Sequence, residues 1–325
     1  MDIWIKAFLL ILGTPGLLAN AYAVDCVPDS ITLTHQVDVD NFQTNYGPCD
    51  TVTGTLSIQK PPVVLTPTLT DLSGLSDLVR VGNLNIFALN LLTNLDGLSG
   101  LETIDGFLAI RWTKELIHID GLTNVSSIGG YIHIGVNTEL QNLHGLSGLS
   151  GATGSYLAVN SNPSLTSLEG LSGLTEVNGY FSLSTNGLIT HLDELSNLTT
   201  VDGEFWLAAN ENLANLDGLS NLNSIGLSMH IESNPVLSNV DGLASLESVG
   251  GDVWITANTA LEYCNALYVL LDDIDDALPG PGPGAAGIPD IAGELYIESN
   301  LPGCNSRAEI LERGPLPIFS SGFEN

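Results

Sequence analysis

Positive charge is scarce in this chain. Its 325 residues include seven Lys and Arg against 37 Asp and Glu, for a formal net charge of -30. Nucleic acid and anionic membrane surfaces both attract clustered basic residues, so neither is expected as a partner. Aromatic residues make up only 6% and charged residues 14%, but apolar residues reach 44%. A disordered acidic chain would be poor in apolar residues, so the composition indicates a folded, acidic protein.

Long hydrophobic runs are also scarce. Near the N-terminus, Lys6 precedes an apolar stretch at 7–18 and the small-x-small sequence at 21–23. A stretch of about 12 residues is shorter than the roughly 20 that a membrane-spanning helix needs. We therefore predict a cleaved secretory signal at 1–23, with an uncleaved membrane anchor as the alternative. No later run is long enough to span a bilayer, so we expect a protein that is secreted or held at the cell surface.

Cysteine is limited to four residues, two near each end of the chain. After export, an even number of cysteines suggests two disulfides. Cys26 and Cys49 precede the body of the chain, and Cys264 and Cys304 follow it. Three pairings are possible. Pairing within each end is the simplest, because cross-pairing would require the two ends of a long object to meet.

A repeat of about two dozen residues fills the middle of the chain and is the strongest signal in the sequence. The unit reads L-D-G-L-S-x-L-x-x-V-x-G-x-Φ-x-I-x-x-N-x-x-L-x-x, where Φ is apolar. Apolar residues at steps of three predict a tight turn or short helix, and the following step of two predicts a strand. The interval between units is nearly constant, being one residue shorter in the first unit and one residue longer in the fourth. The units open at Leu72, Leu95, Ile119, Leu143, Leu168, Leu192, Leu216 and Val240.

A unit of this size cannot bury its apolar edge alone, but stacked units bury it against their neighbours. The sequence therefore predicts a β-rich solenoid of about ten turns, with parallel strands about 4.8 Å apart. We expect a signal peptide at 1–23, an N-terminal cap with the first strand at 24–70, and the repeat solenoid at 71–264. A C-terminal cap of helix, Pro/Gly loop and last strand is expected at 265–304, followed by a tail at 305–325.

Two polar columns accompany the repeat. We interpret the first, at the corner after each strand, as a ladder that satisfies backbone groups. A polar binding strip is its alternative. The column comprises Asn90, Asn137, Asn162, Asn186, Asn210, Asn234, Asn258 and Asn300, with Thr113 as the exception.

The second column is acidic, and we interpret its carboxylates as caps of the turn that begins at the next Gly-Leu. Calcium is the alternative, with Asp193, Asp217 and Asp241 as the candidate ligands, because carboxylates one turn apart could share an ion. No other metal or cofactor is expected. The column comprises Asp96, Asp120, Glu169, Asp193, Asp217 and Asp241, interrupted by His144.

The segments at 49–58 and 258–264 and the L-x-G-L-S-x-L units resemble the receptor L-domain family. Its members are leucine-rich-repeat-like solenoids in the ectodomains of insulin-type and epidermal-growth-factor-type receptors, with relatives at fungal and bacterial surfaces. The resemblance covers roughly 26–304 and implies a right-handed single-stranded β-helix with disulfided ends, used for recognition and not for catalysis. Residues 318–324 resemble a tail of exported gammaproteobacterial proteins. No furin-like module or kinase follows, so growth-factor binding is not implied.

The repeat also predicts which strand residues point outward. Variation at exposed positions of a regular frame is typical of a binding site. We place Thr55, Leu84, Phe107, Tyr131, Tyr156, Tyr180, Glu204, Ser228, Asp252 and Glu294 in a first outward column. The second holds Ser57, Ile86, Ala109, His133, Ala158, Ser182, Trp206, His230, Trp254 and Tyr296.

The aromatic and basic residues of these strands form the candidate ligand site, since exposed aromatic patches mark interaction surfaces. The candidates are Phe107, Tyr131, Tyr156, Tyr180, Arg111, His133, Trp206, Trp254 and Tyr296. Alternatively, the rings stack on each other and stiffen the sheet. We expect a non-catalytic module that binds a protein or carbohydrate ligand. The alternatives are a structural envelope or spacer protein without a specific ligand and, less favoured, a polysaccharide-degrading enzyme.

Catalysis has little support in the sequence. Within the repeats only Arg80, Arg111 and Lys114 are basic. A lyase on such a scaffold would need a basic residue beside carboxylates in a cleft. Serine is common because the repeat uses it, so no Ser/His/Asp triad stands out.

Overall fold

The computed structural model describes residues 23–61, 69–272 and 291–314. The predicted signal peptide up to residue 22, the predicted Pro/Gly loop and the tail from residue 315 lie outside these ranges. No helix in the described ranges has the length and apolar character to cross a bilayer.

Parallel β-sheet dominates the described chain. The strands are β1 (Ile31–Leu33), β2 (Thr51–Gln59), β3 (Arg80–Phe87), β4 (Thr103–Ile104), β5 (Leu108–Arg111), β6 (Ser127–Ile128), β7 (Ile132–Gly135), β8 (Gly151–Thr153), β9 (Leu157–Asn160), β10 (Leu174–Val177), β11 (Phe181–Ser184), β12 (Thr200–Val201), β13 (Phe205–Ala208), β14 (Ser224–Ile225), β15 (Met229–Glu232), β16 (Ser248–Val249), β17 (Val253–Thr256) and β18 (Leu295–Glu298). The helices are α1 (Gln36–Asp40), α2 (Phe42–Tyr46), α3 (Tyr268–Asp272) and α4 (Arg307–Arg313).

Each regular repeat supplies one longer strand to a main sheet and one short strand to a side sheet. The main sheet runs in the order β1-β2-β3-β5-β7-β9-β11-β13-β15-β17-β18, and β4 and β6 branch from β3 at its side. The side sheet has the order β16-β14-β12-β10-β8. Phe181 pairs with Phe205, and Phe205 pairs with Met229, so each strand pairs in register with its equivalent in the next repeat. The predicted parallel repeat structure is thus confirmed.

The predicted tight turns are short 3₁₀ helices that precede the side strands. They span Ser73–Leu75, Asp96–Leu98, Asp120–Leu122, His144–Leu146, Asp193–Leu195, Asp217–Leu219, Asp241–Leu243 and Asn265–Leu267. The middle residue is usually glycine because the preceding repeat lies against it. A Cβ atom at Gly242 would lie 1.7 Å from the carbonyl oxygen of Leu216, a distance that no side chain can tolerate.

The leucines of the repeat form one core that is continuous from repeat to repeat. In one unit Leu216, Leu219 and Leu222 come from the turn and are fully buried, as are Met229 and Ile231 from the strand. Each such side chain contributes about 1.5–3 kcal/mol by leaving water. This burial requires a neighbouring repeat on either side, so no unit is stable by itself.

The main strands end at the predicted corner, whose backbone conformation the sequence did not reveal. The corner residue has a left-handed backbone although it is not glycine, with φ between +55° and +63°. Such a conformation is unfavourable for β-branched residues such as Val136 and Thr185, and surrounding contacts must hold it. The corner residues are Ala88, Trp112, Val136, Ser161, Thr185, Ala209, Ser233, Ala257 and Ser299.

The asparagine that follows the corner supplies those contacts. The main-chain N–H of Asn186 donates to Oδ1 of Asn210 (3.1 Å), and Nδ2 of Asn186 donates to the carbonyl of Val159 (2.8 Å). Both asparagines are fully buried. The interpretation as a structural ladder is confirmed, except at Asn90. That residue is exposed, and Leu89 takes the buried corner position in its repeat.

Disulfides tie the described parts of both ends. Cys26 pairs with Cys49 and Cys264 pairs with Cys304, which confirms pairing within each end. At the N-terminal end, α1 and α2 bury Val39 and Phe42 against the core.

At the C-terminal end, the 3₁₀ turn Asn265–Leu267 leads into α3. The helix α4 buries Ile310 in the core. Arg313 donates to the carbonyl of Glu262 at 2.8 Å. These contacts cover core side chains that a last repeat would otherwise expose.

Candidate functional site

The outward residues of the main sheet form a surface that we call the strand face. It has three columns, set by the pairing register. Trp206, His230 and Trp254 are paired neighbours in the second column, as predicted. The third column includes Phe87, Arg111 and Gly135.

One strand departs from the predicted register. Leu84 and Ile86 are fully buried, so their outward assignment is wrong, and Asn83 and Asn85 face outward instead. The repeat that opens at Leu72 is one residue shorter than its neighbours, and β3 runs without a break across both the side and main positions. The missing residue lies between the turn and the outward positions, and a one-residue shift exchanges the two faces of a strand.

Four aromatic rings of the first column form a ladder, which we call the tyrosine ladder. Phe107 and Tyr131 stack with ring centroids 4.8 Å apart and planes within 3°. Tyr131 and Tyr156 stack at 4.6 Å and 5°. Tyr180 meets Tyr156 edge-on, at 5.9 Å and 61°. All four rings are half-buried. Both faces of Tyr131 are thus covered by Phe107 and Tyr156, so mainly its edge remains free.

A second ladder, the tryptophan ladder, lies in the second column at the other end of the strand face. Trp206 stacks on His230 at 3.9 Å, His230 lies 5.9 Å from Trp254, and Trp254 stacks on Tyr296 at 3.7 Å. The predicted residues Trp206, Trp254 and Tyr296 therefore belong to one stack, in which His230 lies between the two tryptophans. The candidate set omitted His230. Its position between two tryptophans in the column was the signal that could have identified it.

Carboxylates hold the polar atoms of the tryptophan ladder. Nε1 of Trp206 donates to Glu204 at 3.0 Å, and Nδ1 of His230 lies 2.8 Å from Glu232 Oε1. The Tyr296 hydroxyl donates to Glu294. This hydrogen bond, together with burial and nearby carboxylates, raises the pKa of Tyr296. Glu204, Glu232 and Glu294 therefore form hydrogen bonds or close polar contacts with the polar atoms of the tryptophan ladder.

Mostly small residues accompany the tyrosine ladder in the neighbouring column. Beside it, the second column contains Ala109, His133, Ala158 and Ser182. The two alanines and the serine are buried. The tyrosine ladder therefore lies beside a strip of small residues that His133 interrupts.

His133 lies within this strip, and Arg111 lies next to it in the third column. The Arg111 guanidinium lies 5.7 Å above the ring of Phe87. Its Nε is buried without a hydrogen-bond partner, and within the described ranges the side chain forms no ion pair. Burial and, secondarily, the Arg111 charge lower the pKa of His133. The His133 ring packs closely over Gly135, because a Cβ there would lie 3.1 Å from His133 Nε2.

The acidic column does not cap the 3₁₀ turns, and that interpretation is wrong. At Asp96, Asp193, Asp217 and Asp241 the turns lack any cap bond from the carboxylate. At Asp96, Asp217 and Asp241 the acceptor comes from two residues upstream. Oδ1 of Asn215, for example, accepts from the N–H of Asp217 at 3.1 Å. An asparagine or serine before the first leucine of the turn reaches the free N–H more directly than the acidic side chain does.

A metal role for the acidic column finds no geometric support. Over the described parts of the chain, no group of three or more His, Cys, Asp or Glu is placed to hold a metal ion. The candidates Asp217 and Asp241 are close enough to interact. Burial and the neighbouring Asp217 carboxylate raise the pKa of Asp241, as expected for two carboxylates close together.

Comparison with known proteins adds no relative. No protein-family model matches the chain, and no curated protein matches its sequence.

Proposed function

We propose that this chain is a non-catalytic extracellular recognition module that binds a protein ligand through the tyrosine ladder and Arg111. In this proposal the fold is a right-handed leucine-rich-repeat-like solenoid of about ten turns, related to receptor L-domains. The protein is secreted or held at the cell surface. The two disulfides support an oxidising location, and the parallel sheets support the solenoid.

The state of Arg111 is the observation that carries the proposal. In a chain with a net charge of -30, this guanidinium on the strand face has neither a carboxylate partner among the described residues nor a hydrogen bond to its buried Nε. An unsatisfied buried donor carries a desolvation penalty of about 1–3 kcal/mol, so the described protein groups do not satisfy this guanidinium. We infer that the ligand presents a carboxylate or carbonyl to Arg111.

The stacking favours a protein over a glycan as the ligand. Sugars bind aromatic side chains through ring faces, but Tyr131 is covered on both faces by Phe107 and Tyr156. Ring edges and a free arginine suit protein side chains, and Tyr and Arg are enriched among the residues that dominate protein interfaces. The carbohydrate reading of the strand face is therefore the weaker one.

The test is a protein-array and glycan-array screen with the wild-type chain, followed by affinity measurements on any ligand found. Arg111→Gln should weaken binding by about 10- to 100-fold. Arg80→Gln is the matched control. Arg80 is not part of the tyrosine ladder, and its guanidinium lies 2.7 Å from the Asp105 carboxylate. Its loss changes the net charge by the same amount as the loss of Arg111. Equal effects of the two substitutions would show that only long-range charge matters, and would refute the proposed site.

A structural spacer is the second candidate function, and the same stacking favours it. Rings that cover each other strengthen the contact between repeats. This function predicts that no array ligand binds and that Tyr131→Ala changes stability alone. A polysaccharide-degrading enzyme is the least supported alternative, because Arg111 forms no ion pair with a described carboxylate that could serve as its catalytic partner.

A further inference from the structure

One repeat is longer than its neighbours, and the extra residue interrupts the side sheet. The repeat from Leu143 to Leu168 exceeds the one from Leu192 to Leu216 by a single residue. The additional residue lies between Leu149 and Leu157, where Gly151 has φ +83°. The register with β10 shifts there: Gly151 pairs with Leu174 but Ala152 pairs with Glu176, so Thr175 has no residue opposite it in β8. This is a β-bulge in β10, and a bulge disrupts the ladder locally.

Pairing is lost between β6 and β8. In the described structure β6 pairs with β4 alone, and β8 pairs with β10 alone. In the preceding repeat the carbonyls of Glu102 and Ile104 accept hydrogen bonds from the N–H groups of Ser126 and Gly129, both at 3.0 Å. The equivalent carbonyls of Ser126 and Ile128 have no backbone donor from β8. Two main-chain acceptors therefore face an opening.

That opening is a cavity of about 190 Å³, which we call the slot. The buried side chains of Ile128, Ile132 and Leu149 line its apolar part. Hydroxyl side chains surround its mouth, from Thr103, Ser127 and Ser150. The slot thus combines an apolar floor, hydroxyl groups and free carbonyl acceptors.

Both ends of the slot are closed, which limits what it can hold. A Cβ at Gly148 would lie 2.6 Å from the carbonyl oxygen of Val125, and one at Gly154 would lie 1.9 Å from that of Gly129. The repeats are therefore in contact on either side of the bulge, and an extended peptide cannot pass through. A volume of about 190 Å³ is below the usual range of about 300–1,000 Å³ for drug-sized ligands.

We propose that the slot is a binding site for a small neutral polyhydroxylated compound of the size of one sugar ring. The carbonyls and hydroxyls at the mouth match the hydroxyl groups of such a ring, and the isoleucines and leucine match its C–H surface. The charged lining residue, Asp105, is already held by Arg80 through two hydrogen bonds of 2.7 and 2.8 Å. The net charge of -30 disfavours an anion. This site lies at the side sheet and is independent of the proposed function of the strand face.

The probes are D-glucose, D-galactose and D-mannose, with D-glucuronate as the anionic counterpart and D-glucosamine as the cationic one. Binding to the full chain is measured by saturation-transfer NMR and by amide shifts of the labelled protein. We expect at least one neutral hexose to bind with a Kd of about 1 mM, as befits a ligand with so few atoms. The shifted amides should be those of 126–129 and 150–154.

Ala152→Phe provides the blocking variant, because Ala152 lines the slot and a phenyl ring would fill it. Ser224→Phe is the matched control, since Ser224 holds the equivalent register position where the side sheet is intact. We expect A152F to weaken hexose binding by at least about tenfold and S224F to leave it unchanged.

Three results would overturn the inference. They are no saturation by any neutral hexose up to about 50 mM, amide shifts confined to residues outside the slot, or tighter binding of either charged sugar. The shift map applies to the wild-type chain, so the inference stays testable even if A152F fails to fold.

Discussion

Oδ1 of Asn210 accepts a hydrogen bond from the main-chain N–H of Asn186, which lies 24 residues earlier in the chain, at 3.1 Å. Nδ2 of the same side chain donates to the carbonyl of Leu183 at 3.0 Å. One amide thus satisfies two buried backbone groups of the preceding repeat. The asparagine ladder therefore joins neighbouring repeats, in addition to the leucine core.

Replacing Asn210 with alanine should lower the free energy of unfolding by about 2–4 kcal/mol, because two buried backbone groups lose their partners. The measurement is urea-induced unfolding followed by circular dichroism. Asn90→Ala is the control, since Asn90 is exposed and outside the ladder, and it should change stability by less than about 0.5 kcal/mol. Similar losses in both variants would contradict the ladder.

Glycine in the 3₁₀ turns is required by close contact and not by backbone conformation. Gly242→Ala places a Cβ 1.7 Å from the Leu216 carbonyl oxygen, so we expect a loss of about 2–4 kcal/mol in unfolding free energy. Gly187→Ala is the control, because its nearest neighbour beyond the adjacent residues is 3.8 Å away. Thermal and urea unfolding compare the two. A stable G242A variant would mean that the repeats separate more easily than this spacing indicates.

His133 should make stability depend on pH. Burial and the Arg111 charge lower its pKa below the ordinary value of 6.5, so the unfolded chain binds the proton more readily. The contribution of neutral His133 to the free energy of unfolding is therefore fully present above pH 6.5, and it decreases as the pH falls toward the pKa of the folded state. His133→Gln should remove this part of the pH dependence of urea unfolding.

The charge contribution to the His133 pKa is separable from burial. Arg111→Gln should raise the pKa, measured by NMR titration of the imidazole, but only part of the way to 6.5 because burial is the larger cause. Arg80→Gln should leave it unchanged. A titration at or above the ordinary value in the wild-type chain would exclude the close approach of Arg111 to His133.

The tyrosine ladder should contribute to stability whether or not it binds a ligand. Tyr156 contacts Tyr131 at 4.6 Å and Tyr180 at 5.9 Å, and each aromatic contact is worth about 0.5–1.5 kcal/mol beyond burial. Tyr156→Ala should therefore lower unfolding free energy by about 2–3 kcal/mol. Tyr156→Phe keeps the rings and should cost under about 1 kcal/mol. An unaffected Tyr156→Ala variant would show that the rings are not coupled in solution.

Several parts of the site lay beyond what residue patterns can predict. The outward columns were predicted correctly wherever the repeat kept its length, and incorrectly at Leu84 and Ile86, where one residue is missing. The acidic residues were read as caps because their position suits one, but Asn215 and its counterparts occupy the nearer place. In both cases the outcome depends on shifts of a residue or less, which periodicity does not resolve.

The amino-acid sequence by itself determined the parallel repeat, its short turns and the pairing of cysteines at each end. Buried positions recur at a constant interval, and burial of those positions leaves stacked repeats as the available arrangement. The tertiary structure alone decided which ring faces are covered, that Arg111 has no ion-pair partner in the described chain and that β6 and β8 do not pair, which opens the slot. These features arise from contacts between residues one repeat apart. The geometry of such contacts depends on how neighbouring repeats pack against each other.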